Sequence, residues 1–131
     1  MSRTNQKTEV TAIVLAGGKN QRLGRNKALE PIDGKSLIER VIDQVKLVSS
    51  RVLIVTSERE QSYLPIASGA EVLTDIYPDK GPLGGIYTGL LASQSLYSVV
   101  VACDMPFLNA KLLRYMVELS PEFDVVAVSY T

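Results

Sequence analysis

Four cations and three glycines crowd one short stretch of the chain. After the apolar run Ala12-Ile-Val-Leu-Ala16 come Gly17 and Gly18, followed by Lys19, Arg22, Gly24, Arg25 and Lys27. A glycine pair directly after a strand gives up side-chain packing and lets a ligand approach the backbone. Free backbone N–H groups and several cations at the C-terminal end of a strand suit a polyphosphate. The chemistry expected of this loop is the binding of a nucleoside triphosphate. The cluster answers a local need, because 14 Lys+Arg balance 14 Asp+Glu over the whole chain. With no overall field, neither nucleic acid nor an anionic membrane is an expected partner.

The rest of the composition removes other chemistries. The 131 residues contain no histidine, which excludes His-based triads and His-ligated metals. The single cysteine, Cys103, cannot form an intramolecular disulfide or contribute to a cysteine-cluster zinc site. Cys103 reads as a small buried hydrophobe. A hydrophobic fraction of 46% and a charged fraction of 21% are those of an ordinary globular domain. Residues 1–9 are polar and lack the apolar core of a signal peptide, so they are expected to be a disordered tail. Residues 10–131 are then one nucleotide-binding domain. No apolar run approaches the length of a membrane span, and a reducing cytoplasm is the expected location.

Strand and helix alternate along that domain, so the elements that must position the loop can be placed. Strands are expected over residues 11–16, 52–55, 71–74, 98–103 and 124–128. The connection from Gly17 to Lys35 is expected to be one long functional loop, with a tight turn at Asp33-Gly34. Ser36 and Glu39 form a capping box. Leu37, Ile38, Val41, Ile42, Val45 and Val48 then recur on one face of an amphipathic helix. A short helix is expected over 58–64, stopped by Pro65. Residues 76–80 read as a loop. Gly81-Pro-Leu-Gly-Gly85 should lead into a helix that uses Ile86, Tyr87, Leu90 and Leu91, with Tyr87, Tyr97 and Phe107 as packing residues. Asn109 can cap a last helix carrying Leu112, Leu113, Met116 and Val117. The pattern predicts an α/β fold, a Rossmann-like and mainly parallel sheet flanked by helices, with strand ends and loops along one rim.

Two common nucleotide motifs do not fit. Gly34-Lys35-Ser36 resembles the end of a P-loop, but Leu29 stands where the earlier glycine is required. The loop after Ala16 also lacks Gly-x-Gly-x-x-Gly spacing. What fits is the ordered set Leu15-Ala-Gly-Gly18, Arg22-Leu-Gly24, Lys27, Asp33-Gly-Lys-Ser-Leu37, Asp75, Gly81-Pro-Leu-Gly-Gly85 and Cys103-Asp-Met-Pro106. This set resembles the molybdenum cofactor guanylyltransferases (the molybdopterin-guanine dinucleotide biosynthesis protein A family), which have the nucleotidyltransferase fold of the nucleotide-diphospho-sugar transferase type. The resemblance runs from Ala12 to about Val128. It departs at Asn26, where the family often has Asp, and at Thr56, where some members carry a nucleotide-contacting Asn. Family members also continue beyond the length of this chain, so the resemblance implies an incomplete domain whose C-terminal part is missing.

The resemblance implies transfer of GMP from GTP to molybdenum-molybdopterin with release of pyrophosphate. Leu15, Ala16, Gly17 and Gly18 would contact the nucleotide through their backbone, and Arg22 and Lys27 would lie on its phosphates. Thr56 and Asp75 would contact the nucleotide, and Gly81, Pro82 and Gly85 would shape the guanine pocket. Asp104 would hold the cofactor Mg2+, making Arg22, Lys27 and Asp104 the catalytic set. Such a reaction needs positioning and charge stabilisation more than a general base, and magnesium often takes only one or two carboxylates. Plainer readings stand beside these: solvated cations for Lys19, Arg22, Arg25 and Lys27, and turn residues for Asp75, Asp104 and Gly81-Pro82. The propensity cost of Gly84-Gly85 at a helix start suggests instead the close approach of a ligand. GTP and molybdopterin are the expected partners, with other cofactor-biosynthesis proteins or a second copy of the chain as further ones. The alternatives are a cytidylyltransferase, a sugar-phosphate nucleotidyltransferase, or a shortened non-catalytic nucleotide-binding module.

Overall fold

The computed structural model of the chain describes residues 9–16, 31–32, 35–57, 69–103, 105 and 108–119. Strand β1, Val10–Leu15, lies inside a four-stranded sheet and is buried along almost its whole length. The hairpin strands β2, Pro31–Ile32, and β3, Lys35–Ser36, pair antiparallel. Helix α1, Leu37–Val45, leads to β4, Arg51–Thr56, and then β5 covers Ala70–Thr74. A short 3-10 turn at Pro78–Lys80 precedes α2, Pro82–Ala92. Strand β6, Tyr97–Ala102, and helix α3, Ala110–Leu119, complete the described elements.

The large sheet has the order β5-β4-β1-β6 and every pairing in it is parallel. Register is set across the middle, with Ile13 opposite both Leu53 and Val100. Alternation of side chains along each strand divides the core in two. Ala12 and Val14 of β1, with Val52 and Ile54 of β4, pack against Ile38, Val41, Ile42 and Val45 of α1 and Leu113 of α3. Ile13, Leu53 and Val55 point the other way, toward Leu15, Leu73 and Ala92. Helices α1 and α3 therefore cover one face and α2 the other. This division follows from handedness. The crossover β1-α1-β4 runs one way across the sheet and β5-α2-β6 runs back, so right-handed connections put their helices on opposite faces.

Several expectations are refined. The fold class is as predicted, and β1, β4, β5 and β6 lie within a residue of their expected positions. The connection from Gly17 to Lys35 is not one uninterrupted loop, because Pro31 pairs with Ser36 and Ile32 with Lys35. Each strand of that hairpin has only two residues, too few to show an alternating pattern. The stretch 76–80 is not wholly irregular but contains the 3-10 turn. Helix α1 starts directly after Ser36 but ends at Val45, three residues before Val48. There the Ser49 hydroxyl donates to the Val45 carbonyl at 2.6 Å. Asn109 caps α3 as expected, its Oδ1 accepting the Leu112 N–H at 2.9 Å. Gln44 of α1 holds the same helix end by accepting the Ala110 N–H at 2.9 Å. The helix expected at 58–64 and the strand at 124–128 lie outside the described residues, as does Phe107.

Helix α2 departs most from expectation. Its buried residues are Gly84, Gly85, Thr88 and Gly89, whereas Leu83 is 72% exposed, Leu91 60%, and Tyr87 and Leu90 are exposed as well. Tyr87 does not enter the core; its ring tilts against that of Tyr77 with centroids 5.6 Å apart. Tyr97 is half-buried. The helix approaches the sheet along a stripe of small residues because large side chains below it fill the space. A Cβ added to Gly89 would come within 2.5 Å of Ile13 Cγ2.

Candidate functional site

The parallel ladder continues one residue past each strand and lines up their C-terminal ends. Ala16 N donates to Val55 O at 2.8 Å, Asp75 N to Thr56 O at 2.8 Å and Cys103 N to Leu15 O at 3.0 Å. Along one rim the order is thus Asp75, Thr56, Ala16, Cys103. Strand β1 sits where the connections diverge, toward β4 on one side and to β6 on the other. Ligands of open parallel sheets bind at such a switch point, beyond the carboxyl ends of the strands. The residues that follow in sequence, Gly17 after Ala16 and Asp104 after Cys103, thus leave from neighbouring strand ends.

Of the predicted site residues, Leu15, Ala16, Thr56, Asp75, Gly81, Pro82 and Gly85 belong to this rim or the helix start beside it. Gly17, Gly18, Arg22, Lys27 and Asp104 lie outside the described residues. Thr56 is 1% exposed, and among the described residues no group hydrogen-bonds its Oγ1. A buried hydroxyl left without a partner costs about 1–3 kcal/mol, so this one is suited to an incoming polar group.

Asp75 has a definite task within the chain. Its Oδ1 accepts the Tyr77 N–H at 2.8 Å, an Asx-turn bond that closes the start of the next loop. The turn role weighed in the sequence is therefore present, and it leaves Oδ2 without a hydrogen bond among the described residues. The carboxylate also lies against the first turn of α2, where a negative charge is favoured by the helix dipole. The turn into that helix depends on Gly81, with φ +63° and ψ −151°, a region essentially reserved for glycine. Pro82 follows at the first helical position, where its missing N–H and fixed φ are well tolerated.

The sequence suggested that Gly84 and Gly85 make room for a ligand at the backbone. The close approach is made by the chain itself. A Cβ on Gly84 would run into the Tyr77 carbonyl oxygen, and one on Gly85 would meet Leu15 Cδ2 at 2.9 Å. These glycines pack the loop and helix against the end of β1, which gives the rim a fixed wall. Sequence reasoning missed Thr88, which is buried beneath that wall and hydrogen-bonded to the backbone of both Ile76 and Gly84. Its signal was only a polar residue on an otherwise apolar helix.

No group of three or more His, Cys, Asp or Glu suited to a metal occurs among the described residues. Asp75 and the end of β6 are separated by three strand spacings, about 14 Å at ~4.8 Å each. An ion with oxygen ligands ~2.1 Å away cannot be shared between them. Asp104, the carboxylate next in sequence after Cys103, lies outside the described residues.

Known proteins share sequence and fold with this chain. Residues 12–131 match the family model described as MobA-like NTP transferase domain. A probable molybdenum cofactor guanylyltransferase from Carboxydothermus hydrogenoformans is 34% identical over 121 residues, covering 92% of this chain and 59% of the relative. One from Pelotomaculum thermopropionicum is 37% identical over 117 residues, covering 89% of this chain and 56% of the relative. The chain thus spans less than three fifths of the length of these curated relatives. Among solved structures, Rv0371c from Mycobacterium tuberculosis H37Rv superposes with a TM-score of 0.73 at 19% identity, covering 88% of this chain and 62% of that one. A complex of Rv0371c with manganese gives 0.69 at 15% identity, covering 87% and 60%. At those identities the structural likeness establishes the fold.

Proposed function

The chain belongs to the family of MobA-like NTP transferase domains, and on that premise we propose that it binds GTP with magnesium and transfers GMP to molybdenum-molybdopterin. The observation that carries this reading is the switch point between β1 and β6. There Gly17-Gly18 and Asp104 come next in sequence after the ends of two adjacent parallel strands. The names of the curated relatives support the choice of guanylyl transfer and of a molybdopterin acceptor.

In this reading the acceptor phosphate oxygen attacks the α-phosphorus of GTP. The α–β phosphoanhydride bond breaks and pyrophosphate leaves, so the reaction needs no redox partner. The backbone of Leu15, Ala16, Gly17 and Gly18 follows the nucleotide, and Arg22 and Lys27 neutralise charge on its phosphates. Preorganised cations of this kind are most effective where charge develops in the transition state. Thr56 supplies its hydroxyl and Asp75 its Oδ2, neither with a partner among the described residues, and Oδ2 accepts from donor groups of the nucleotide. Gly81, Pro82 and Gly85 shape the base side of the pocket. Asp104 would hold Mg2+, which when bound offsets phosphate charge. Such a site also fits the cytoplasm, where GTP and magnesium are abundant, and no described helix is long and apolar enough to cross a membrane.

Titration calorimetry with GTP, with and without magnesium, tests this reading directly. GTP should bind in preference to CTP, binding should need magnesium, and Lys27→Ala and Asp104→Ala should each weaken it by at least about tenfold. Wild-type-like GTP binding by both variants would sink the site assignment. Pyrophosphate release that depends on molybdopterin as acceptor tests the transfer step. Release with a sugar phosphate instead would reassign the acceptor.

A further inference from the structure

Thr88 joins the loop after Asp75 to helix α2. It is 5% exposed, and its Oγ1 lies 2.8 Å from the Gly84 carbonyl, 2.9 Å from the Ile76 backbone nitrogen and 3.4 Å from Asp75 Oδ1. A hydroxyl has one proton and two acceptor lone pairs. It accepts the Ile76 N–H and donates to the Gly84 carbonyl, the nearer of its two acceptors, with Asp75 Oδ1 at the edge of its reach. Asp75 Oδ1 in turn accepts the Tyr77 N–H at 2.8 Å. The two backbone donors after Asp75, those of Ile76 and Tyr77, are thus both taken by side-chain oxygens. One of those oxygens is on α2, and the other is the carboxylate itself. No other side chain among the described residues hydrogen-bonds this loop from α2.

We propose that Thr88 is a positioning residue for the nucleotide: by holding the Ile76 backbone to α2 it fixes the direction of the Asp75 carboxylate, so that Oδ2 is presented to the bound nucleotide. This inference rests on the nucleotide-binding reading of the rim. Without the hydroxyl, the Ile76 N–H loses its partner and the loop is free to leave the helix. Nucleotide binding must then order the loop again, and apparent affinity falls by the fraction of molecules in the competent arrangement.

The experiment measures GTP affinity with magnesium by calorimetry for wild type, Thr88→Val, Thr88→Ala and Thr88→Ser, with thermal midpoints recorded for each. Valine keeps the shape and removes the hydroxyl. Alanine also removes it but suits a helix, giving a folded variant where valine is poorly tolerated. Loss of the bond should weaken GTP binding by about tenfold, while Thr88→Ser stays within about twofold of wild type. In an Asp75→Asn background the loss of the hydroxyl should have little further effect, because a residue acting through Asp75 has nothing left to position. A structural role alone gives a lower thermal midpoint with unchanged GTP affinity, or effects that add fully to Asp75→Asn; either result overturns the proposal. If wild type does not bind GTP, the nucleotide reading itself fails. If wild type binds and the folded hydroxyl-less variants bind equally well, only the role of Thr88 fails.

Discussion

The two faces of the sheet are covered by different means. On the face of α1 and α3, large aliphatic side chains fill the space between helix and sheet, with Ile38, Val41, Ile42 and Val45 all buried. On the face of α2, the helix supplies Gly84, Gly85 and Gly89, and the bulk comes from Leu15, Ile13 and Val55 of the strands beneath. The first arrangement is ordinary burial of an amphipathic helix. In the second, the helix rests close to the ends of β1 and β4, and its first turn also has to meet the loop after Asp75. Stability is the main product of one face and placement of the rim is the main product of the other.

Substitutions should separate these roles. The largest loss is expected from Ile42→Ala, about 2–5 kcal/mol for emptying a buried aliphatic site, read as a lower midpoint in denaturant unfolding. Residual folded protein should still bind GTP normally, since no rim residue moves. Gly84→Ala should cost less stability and more function. Its clash lies at the upper end of about 1–3 kcal/mol because the obstructing atom is a backbone carbonyl, more than the ~1 kcal/mol that alanine gains over glycine in a helix. Here GTP affinity should fall in protein that remains folded; if it falls only in proportion to the unfolded fraction, the contrast between the faces is lost.

A smaller effect comes from the far end of α2. Arg51 donates from Nε to Glu71 Oε2 at 2.7 Å, from one terminal nitrogen to Glu71 Oε1 at 3.0 Å and from the other to the Ala92 carbonyl at 2.9 Å. The hydrogen bonds from Arg51 hold the Glu71 carboxyl below its ordinary range. A carboxyl with a lowered folded pKa adds stability that is fully present above its unfolded value and is lost as pH falls through the folded one. Thermal midpoints should therefore show a decline on acidification into that window that Glu71→Gln lacks. Both groups are substantially solvent-exposed, so the contribution is about 0.2–1 kcal/mol and should shrink in high salt. The smallest effect is expected for Leu91→Ser. Although Leu91 is as apolar as Ile42, its exposed place on α2 should keep the change within about 0.5 kcal/mol by chemical denaturation.

These contrasts explain what could be read from the sequence. The amphipathic period of α1 was legible because each large apolar residue had a place in the core. The same rule misassigned Tyr87, Leu90 and Leu91 of α2, which face out while the glycines and Thr88 face inward. A hydrophobic pattern locates the burying face only when the helix itself supplies the bulk. The cap at Asn109 was legible since its partner is three residues away. Thr88 was not, because its bond to Ile76 spans twelve residues and exists only once α2 has docked. The order of the rim residues also required the sheet, since sequence motifs do not state which strand ends are neighbours.

The place of Cys103 carries a practical consequence. It is the chain's one thiol, it is buried, and its backbone N–H ties the end of β6 to Leu15. A thiol reagent must wait for local opening before it can react. The modification half-life of this single atom is therefore a clock for separation of the β1 and β6 strand ends, with no probe introduced and no second cysteine to confuse the count. Any ligand that bridges those two ends slows the clock.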